Sequence, residues 1–396
     1  MLSKPVRESG SVRRMIAGLL SVCLGLFLAH GVISLLDDSL ILLLDFHLFG
    51  WIRGMTLGCT LLLAILIYGL MGVTPMIPKR LFLPVTLFNP VAVLGVIPLL
   101  IFFHDRMQEV AWVISLCQVI CGVVILGWIH GGLKFRWPLL AERWLKARRF
   151  SWANLSVFLG VNVFVLLPGA AGYLFFCAAL AVDHFSDGFL ALRPGGLTVE
   201  VRKYVRDDAS TIQLIPMSHV AEADFYQQLS QSFPTNATVL MEGVTDDQNL
   251  LTNRISYKRM ATSLGLAEQT EEFQPARGKW VHADVDVEQF TTNTIGLLNL
   301  AMLIHTKGLD LETAVKVLQY EPPPDSEEEL LEDLLRKRNR HLLEQIHARL
   351  SEPANIIVPW GAAHMPEIAR EIQKSGFRLD ETREYVVIRF RRDRGD

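Results

Sequence analysis

Five stretches of this chain are apolar for long enough to cross a lipid bilayer, and they limit its possible folds more than any other feature. A helix needs about 20 consecutive apolar residues to span roughly 30 Å of hydrocarbon. Met15–Leu36, Met55–Val73, Leu81–Phe103, Val110–Gly131 and Leu155–Val182 meet that requirement without one Asp, Glu, Lys or Arg. The first run continues past Cys23, so it reads as a span and not as a cleaved leader. Ser39–Gly50 is also apolar but short, and it holds Asp45 and His47. It is expected to lie at an interface.

Charge divides the chain at the same place. Residues 1–182 hold 14 Lys and Arg against 7 Asp and Glu; residues 183–396 hold 24 against 34. The expected architecture is therefore an all-α transmembrane bundle of five spans over 1–182 and a separate α/β domain over 183–396. The acidic second half has no basic stripe, which argues against nucleic acid as a partner. All five cysteines (Cys23, Cys59, Cys117, Cys121 and Cys177) lie in the apolar half. Thiol catalysis, cysteine zinc sites and disulfides are thereby excluded from the second half.

Basic residues in the short connections give an orientation. Twelve (Lys4, Arg7, Arg13, Arg14, Lys79, Arg80, Lys134, Arg136, Arg143, Lys146, Arg148 and Arg149) fall on one side, against Arg53 and Arg106 on the other. This bias predicts a multi-pass protein of the cytoplasmic (inner) membrane, with a cytoplasmic N-terminus and residue 183 onward outside. Phe135–Phe150 mixes tryptophan, leucine and basic residues and reads as a helix lying on the membrane surface, suited to anionic headgroups. Strongly polar residues within the spans are few, among them His30, Asn89, Gln118 and Asn162. That favours an anchor or bundle over a transport path.

The second half alternates strand and helix patterns. Leu197–Arg206, Thr211–Ile215, Thr238–Met241, Asn355–Pro359 and Glu384–Phe390 read as strands. Ala221–Ser232, Asp247–Leu264 (closed by Gly265), Val287–Lys307 and Leu311–Tyr320 read as helices. So does a long segment from Ser326 to about Leu350, with Glu329 completing a capping box. A rigid break is expected at Glu321–Asp325, and Pro366 and Gly376 should bound a last helix. Such alternation implies a central sheet flanked by helices.

Three polar residues then fall at equivalent places. His219 follows the strand TIQLI, Glu242 ends the strand TVLM, and His364 follows NIIVPW and precedes a helix. Ligands collect beyond the carboxyl ends of parallel strands. If these strands are neighbours, two imidazoles and a carboxylate converge there, able to bind a divalent metal or to serve as a general acid/base set. Each residue also has a plainer reading, as a helix cap, a core histidine or a surface acid. Arg338 would hold Glu242 or a substrate carboxylate, or else lie on a solvated helix face. Arg259 and Tyr257 are candidates to line the cleft. Asp284 is a candidate extra ligand or base, and Asp286 reads as a helix cap. His282 and His305 read as structural.

These residues also resemble a known family. Ile357–Met365, with its Gly361-Ala362-Ala363-His364, looks like the second GxxH motif of the TraB/TIKI family (TraB/GumN-type domains, related to ChaN-like and erythromycin-esterase-like proteins). Arg338-Asn339 resembles its ERN/ERD helix motif. Tyr257-Lys258-Arg259-Met260-Ala261, with Leu264-Gly265-Leu266 and Gln269, resembles its R-x-A…LGL…Q segment, and Glu242 its strand-end glutamate. The likeness covers about residues 197–390 and none of the spans. The first motif departs from the pattern, because Pro216 stands where the family has glycine. Proline removes a backbone donor and forbids positive φ, so that loop must take another path.

The resemblance implies a membrane-tethered hydrolase, peptidase-like and dependent on a divalent ion such as zinc, manganese or cobalt, acting outside the membrane on a peptide or small molecule. In that reading His219, His364 and Glu242 are catalytic and metal-binding, and Arg338, Asn339, Arg259, Tyr257 and Asp284 bind substrate or stand behind them. The alternative is a non-catalytic module that captures a peptide or haem and signals through the spans. A lipid bilayer is a partner in either case.

Overall fold

The structure is a computed structural model, which describes residues 6–132, 136–252, 257–308, 310, 313, 317, 323, 325–351 and 353–390. The chain forms two compact units, Met1–Cys177 and Ala178–Asp396.

In the first unit all five apolar runs are helical: α1 (Val6–Leu44), α2 (Gly50–Val73), α3 (Lys79–Phe102), α4 (Met107–His130), and a fifth composed of α5 (Trp152–Val161) and α6 (Leu167–Phe185). Each is long and apolar enough to cross a membrane, so this is a multi-pass membrane protein. A π turn at Asn162–Leu166 joins α5 to α6. It precedes Pro168, which has no amide to give the carbonyl four residues back. Two polar residues within the spans bond between helices: Gln118 Nε2 donates to the Phe27 carbonyl at 2.9 Å, and Asn162 Oδ1 accepts from the Tyr68 hydroxyl at 2.8 Å.

Two expectations for this unit are overturned. Ser39–Gly50 is not an element of its own, because α1 runs on to Leu44 and the chain turns at Asp45, whose φ is 51°. Asp37 and Asp38 do not break the helix, since both are neutralised inside the bundle. Arg53 Nη1 lies 2.7 Å from Asp38 Oδ1 and 3.5 Å from Asp37 Oδ2, and Ser115 Oγ donates to Asp38 at 2.6 Å. Nor is there a surface helix over Phe135–Phe150. From 136 onward the segment is irregular apart from one 3₁₀ turn, Glu142–Trp144, and Leu139, Leu140 and Leu145 insert into the core beside Leu20, Leu24 and Phe27. Pro138 removes an amide that a helix would need. The leucines gain more by burial, and Ser21 Oγ accepts the freed Leu140 amide at 2.9 Å.

The second unit is built on a seven-stranded mixed sheet. Its strands are β1 (Leu190–Arg193), β2 (Gly196–Val205), β3 (Thr211–Met217), β5 (Thr238–Met241), β7 (Lys279–His282), β8 (Asn355–Gly361) and β9 (Arg378–Arg389). A minor pair, β4 (Val220–Ala221) with β6 (Ala267–Glu268), lies apart from it. The order β1-β2-β3-β8-β5-β7, with β9 also on β2, makes β3, β8, β5 and β7 parallel neighbours. Alternate residues of β8 face opposite ways. Ile356, Val358 and Trp360 pack with Leu342, Ile346 and Ile368, whereas Ile357 packs with Phe225 and Leu229 of helix α7 (Ala223–Ser232).

The expected strands are all present; the edge strands β1 and β7 were not anticipated. Among its described residues, Asp247–Leu264 is helical only at α8 (Lys258–Leu264), which Gly265 closes at φ 64° as expected. The Asp246 carboxylate accepts the Leu250 and Leu251 amides and holds the preceding residues in a loop. Residues 253–256, most of the expected helix Leu311–Tyr320 and most of the break Glu321–Asp325 lie outside the described residues. Glu329 makes no capping box; its carboxylate accepts from Asn293 Nδ2 at 2.9 Å instead.

Candidate functional site

The parallel order β3–β8–β5 puts the carboxyl ends of three strands side by side, and His219, His364 and Glu242 follow those ends in turn. Pro216 fits inside β3 because the ladder to β2 stops at Leu214, leaving that flank without bonds for a proline to break. Beyond β3, the Tyr226 hydroxyl donates to the Ser218 carbonyl and the Gln269 amide to the His219 carbonyl. These bonds fix the His219 backbone. Its ring stacks on Tyr257, with centroids 4.7 Å apart and planes within 9°.

Glu242, at the end of β5, is held by both oxygens. Arg338 Nη2 donates to Oε1 at 2.8 Å, and the Gly361 amide donates to Oε2. Arg338 is the hub of the site. Nε and Nη2 grip the two oxygens of Asp284 at 2.9 and 2.6 Å, while Nη1 reaches the Leu334 carbonyl and His364 Nε2, each at 3.3 Å. All five guanidinium N–H bonds therefore have acceptors within the protein. Burial works against the Arg338 charge, but the bonds and charges of Asp284 and Glu242 together outweigh it and raise its pKa.

His364 is buried behind this clasp, with Trp360 edge-on to its ring at 5.2 Å. Nδ1 lies 2.6 Å from Asn339 Oδ1, and the Asn339 amide donates to Glu367. The network assigns the proton to Nδ1 and leaves Nε2 to accept from Arg338. Burial, then the Arg338 charge, push the His364 pKa down to about 4, so the ring is neutral at pH 7. The Asp284 side chain has no exposure. Burial raises its pKa, but Arg338 and the Gly243 and Val285 amides more than offset this, and it sits below the usual carboxylate range.

A cleft of about 550 Å³ opens in front of the clasp. His219, Glu242, Tyr257, Gln269 and Arg338 line its polar end, and Phe273, Phe290, Leu298 and Met302 are among its apolar walls. The structure thus brings His219, Glu242, Tyr257 and Arg338 to one cleft, with His364, Asn339 and Asp284 behind it. Arg259 is exposed on α8 and does not line the cleft. Asp286 caps the turn Val287–Gln289, as expected. Glu367 and the Gly361 amide were missed. Glu367 looks like any first-turn helix acid, and a backbone amide leaves no mark in sequence.

Of the three-residue ligand set, Glu242 and His364 are taken up by the clasp, with His364 Nε2 and Glu242 Oε1 3.6 Å apart. Arg338 bonds both Glu242 and His364 from one side, and both nitrogens of His364 are engaged. Among the described residues, no three His, Cys, Asp or Glu side chains are grouped to hold one ion. His219 and Glu242 are the cleft-lining residues left for that role.

No family model matches the chain, and neither a curated protein nor a solved structure does.

Proposed function

We propose that the second unit is a hydrolase, held at the outer face of the membrane by the five spans, that cleaves an amide or ester bond beside a bulky apolar group. One observation carries this reading: His219 and Glu242 line the same cleft, and Glu242 is fixed at both oxygens by Arg338 and Gly361. Each carboxylate oxygen keeps a lone pair after these bonds. Glu242 takes the proton of an attacking water and returns it to the leaving group. The His219 N–H donates to the carbonyl oxygen as negative charge builds there. The apolar walls hold the substrate's side chain and exclude water.

The outward orientation rests on the twelve-to-two distribution of basic residues between the two ends of the spans. The family assignment rests on the TraB/TIKI-like motifs, which also imply a divalent ion. Held by His219 and Glu242, that ion would polarise the carbonyl and acidify a bound water.

The test is turnover of a panel of apolar-flanked peptides and esters by the full chain in detergent, with chelator and with added zinc, manganese or cobalt. Hydrolysis that is lost in Glu242→Gln supports the proposal, and its response to chelator reads the metal requirement. A panel left uncleaved under every condition overturns it. A second reading, a non-catalytic receptor, is favoured by the complete internal pairing of Arg338 and the apolar walls. It predicts saturable binding of an apolar peptide or haem without turnover.

A further inference from the structure

A second cavity, of about 590 Å³, lies within the membrane unit, between the start of α3 and the connection that leads to α5. Lys79, Arg80 and Lys146 line it together with Trp128, Trp144 and Asn154. Lys79 Nζ donates to a neutral acceptor, Asn154 Oδ1, at 2.7 Å. Glu142, the acid on the same connection, pairs with Arg14 instead. Among the described residues, Arg80 and Lys146 make no ion pair with a carboxylate. Three cations therefore share one cavity without a counter-ion, an arrangement that repels itself until an anion enters.

Two further features call for the same occupant. Among the described residues the Trp144 indole N–H is buried without an acceptor, although buried donors are nearly always paired. α3 also begins at Lys79, so the Lys79 and Arg80 amides, which have no acceptors within the helix, belong to this end of the cavity, while those of Leu81 and Phe82 bond the Pro78 carbonyl. Ile77, Leu81 and the exposed Trp128 add an apolar surface. A free phosphate would satisfy the cations and leave that surface bare, whereas a lipid covers both. Tryptophan is the residue favoured where acyl chain meets headgroup.

We propose that this cavity binds an anionic phospholipid, its phosphate among Lys79, Arg80, Lys146 and the Trp144 indole, and its acyl chains against Leu81 and Trp128. The proposal is independent of any hydrolase activity. Native mass spectrometry of the full chain, titrated with phosphatidylglycerol and with phosphatidylcholine, tests it. Phosphatidylglycerol should bind at least about tenfold more tightly. The double variant Arg80→Gln/Lys146→Gln, both exposed positions, should lose about tenfold or more of that affinity while its near-UV circular dichroism stays that of the parent. Arg148→Gln/Arg149→Gln, on the same connection but outside the cavity, should bind as the parent does. Equal binding of the two lipids, unchanged affinity in Arg80→Gln/Lys146→Gln, or displacement of the lipid by millimolar inorganic phosphate would each overturn the proposal. The last result would assign the cavity to free phosphate.

Discussion

Arg338 Nη2 lies 2.8 Å from Glu242 Oε1, a bond that ties a long helix to the end of a central strand. The same guanidinium grips Asp284 with two bonds and touches His364, so one side chain sets the positions of three predicted site residues.

Removing that side chain leaves the fully buried Asp284 carboxylate without its partner. Arg338→Ala should destabilise the second unit by about 3–5 kcal/mol, the cost of breaking a buried pair from one side. Arg338→Lys should recover little, because an ammonium cannot bond both oxygens of Asp284 and still reach Glu242 and His364. Urea unfolding followed by the near-UV signal of Trp360 would measure both variants.

His364 makes stability depend on pH. Its folded pKa is about 4, against about 6.5 when unfolded, so the unfolded chain takes up the proton first on acidification. The stabilisation is complete above about pH 6.5 and is lost as pH falls toward 4, by up to about 3 kcal/mol. Asp284 adds a further loss below about pH 4, since its folded pKa is depressed below the usual carboxylate value. His364→Gln should flatten the curve between pH 6.5 and 4; an unchanged slope would mean that other groups titrate there.

The general outline was legible because it rests on local patterns. Span length, strand periodicity and the strand-end placement of His219, Glu242 and His364 need only neighbours in sequence. What was not legible depends on distant partners. Nothing near Asp37 and Asp38 announces that Arg53 and Ser115 neutralise them and let α1 continue. Leu139 and Leu140 look like a surface helix until the bundle offers them a core. Arg338 and Asp284 were singled out, but that Arg338 spends every donor within the protein follows only from the sheet order β3–β8–β5.

Gly196 provides a test of the sheet itself. A Cβ there would overlap the carbonyl oxygen of Ile388, and its φ is +158°. Gly196→Ala must therefore push β9 away from β2 at the start of their ladder. Hydrogen exchange should report faster amides in β9, with those of β8 little changed.

In the membrane unit, Arg53→Ala leaves Asp37 and Asp38 buried without their cation. Thermal stability in detergent should fall. Adding Asp37→Asn and Asp38→Asn should restore much of it, because neutral amides do not need the arginine. A triple variant no better than Arg53→Ala would show that the hydrogen bonds, and not the charge, hold α1 to α4.

The most direct test of the proposed site is a double-mutant cycle on turnover, using the best substrate of the panel with Glu242→Gln, His219→Ala and both together. Residues that serve one step should not be additive. Each single variant should lose about 10²–10⁴-fold in kcat, and the double variant should be no slower than the worse single. Turnover that survives in Glu242→Gln, or losses that simply multiply, would contradict a shared catalytic role for the two residues facing this cleft.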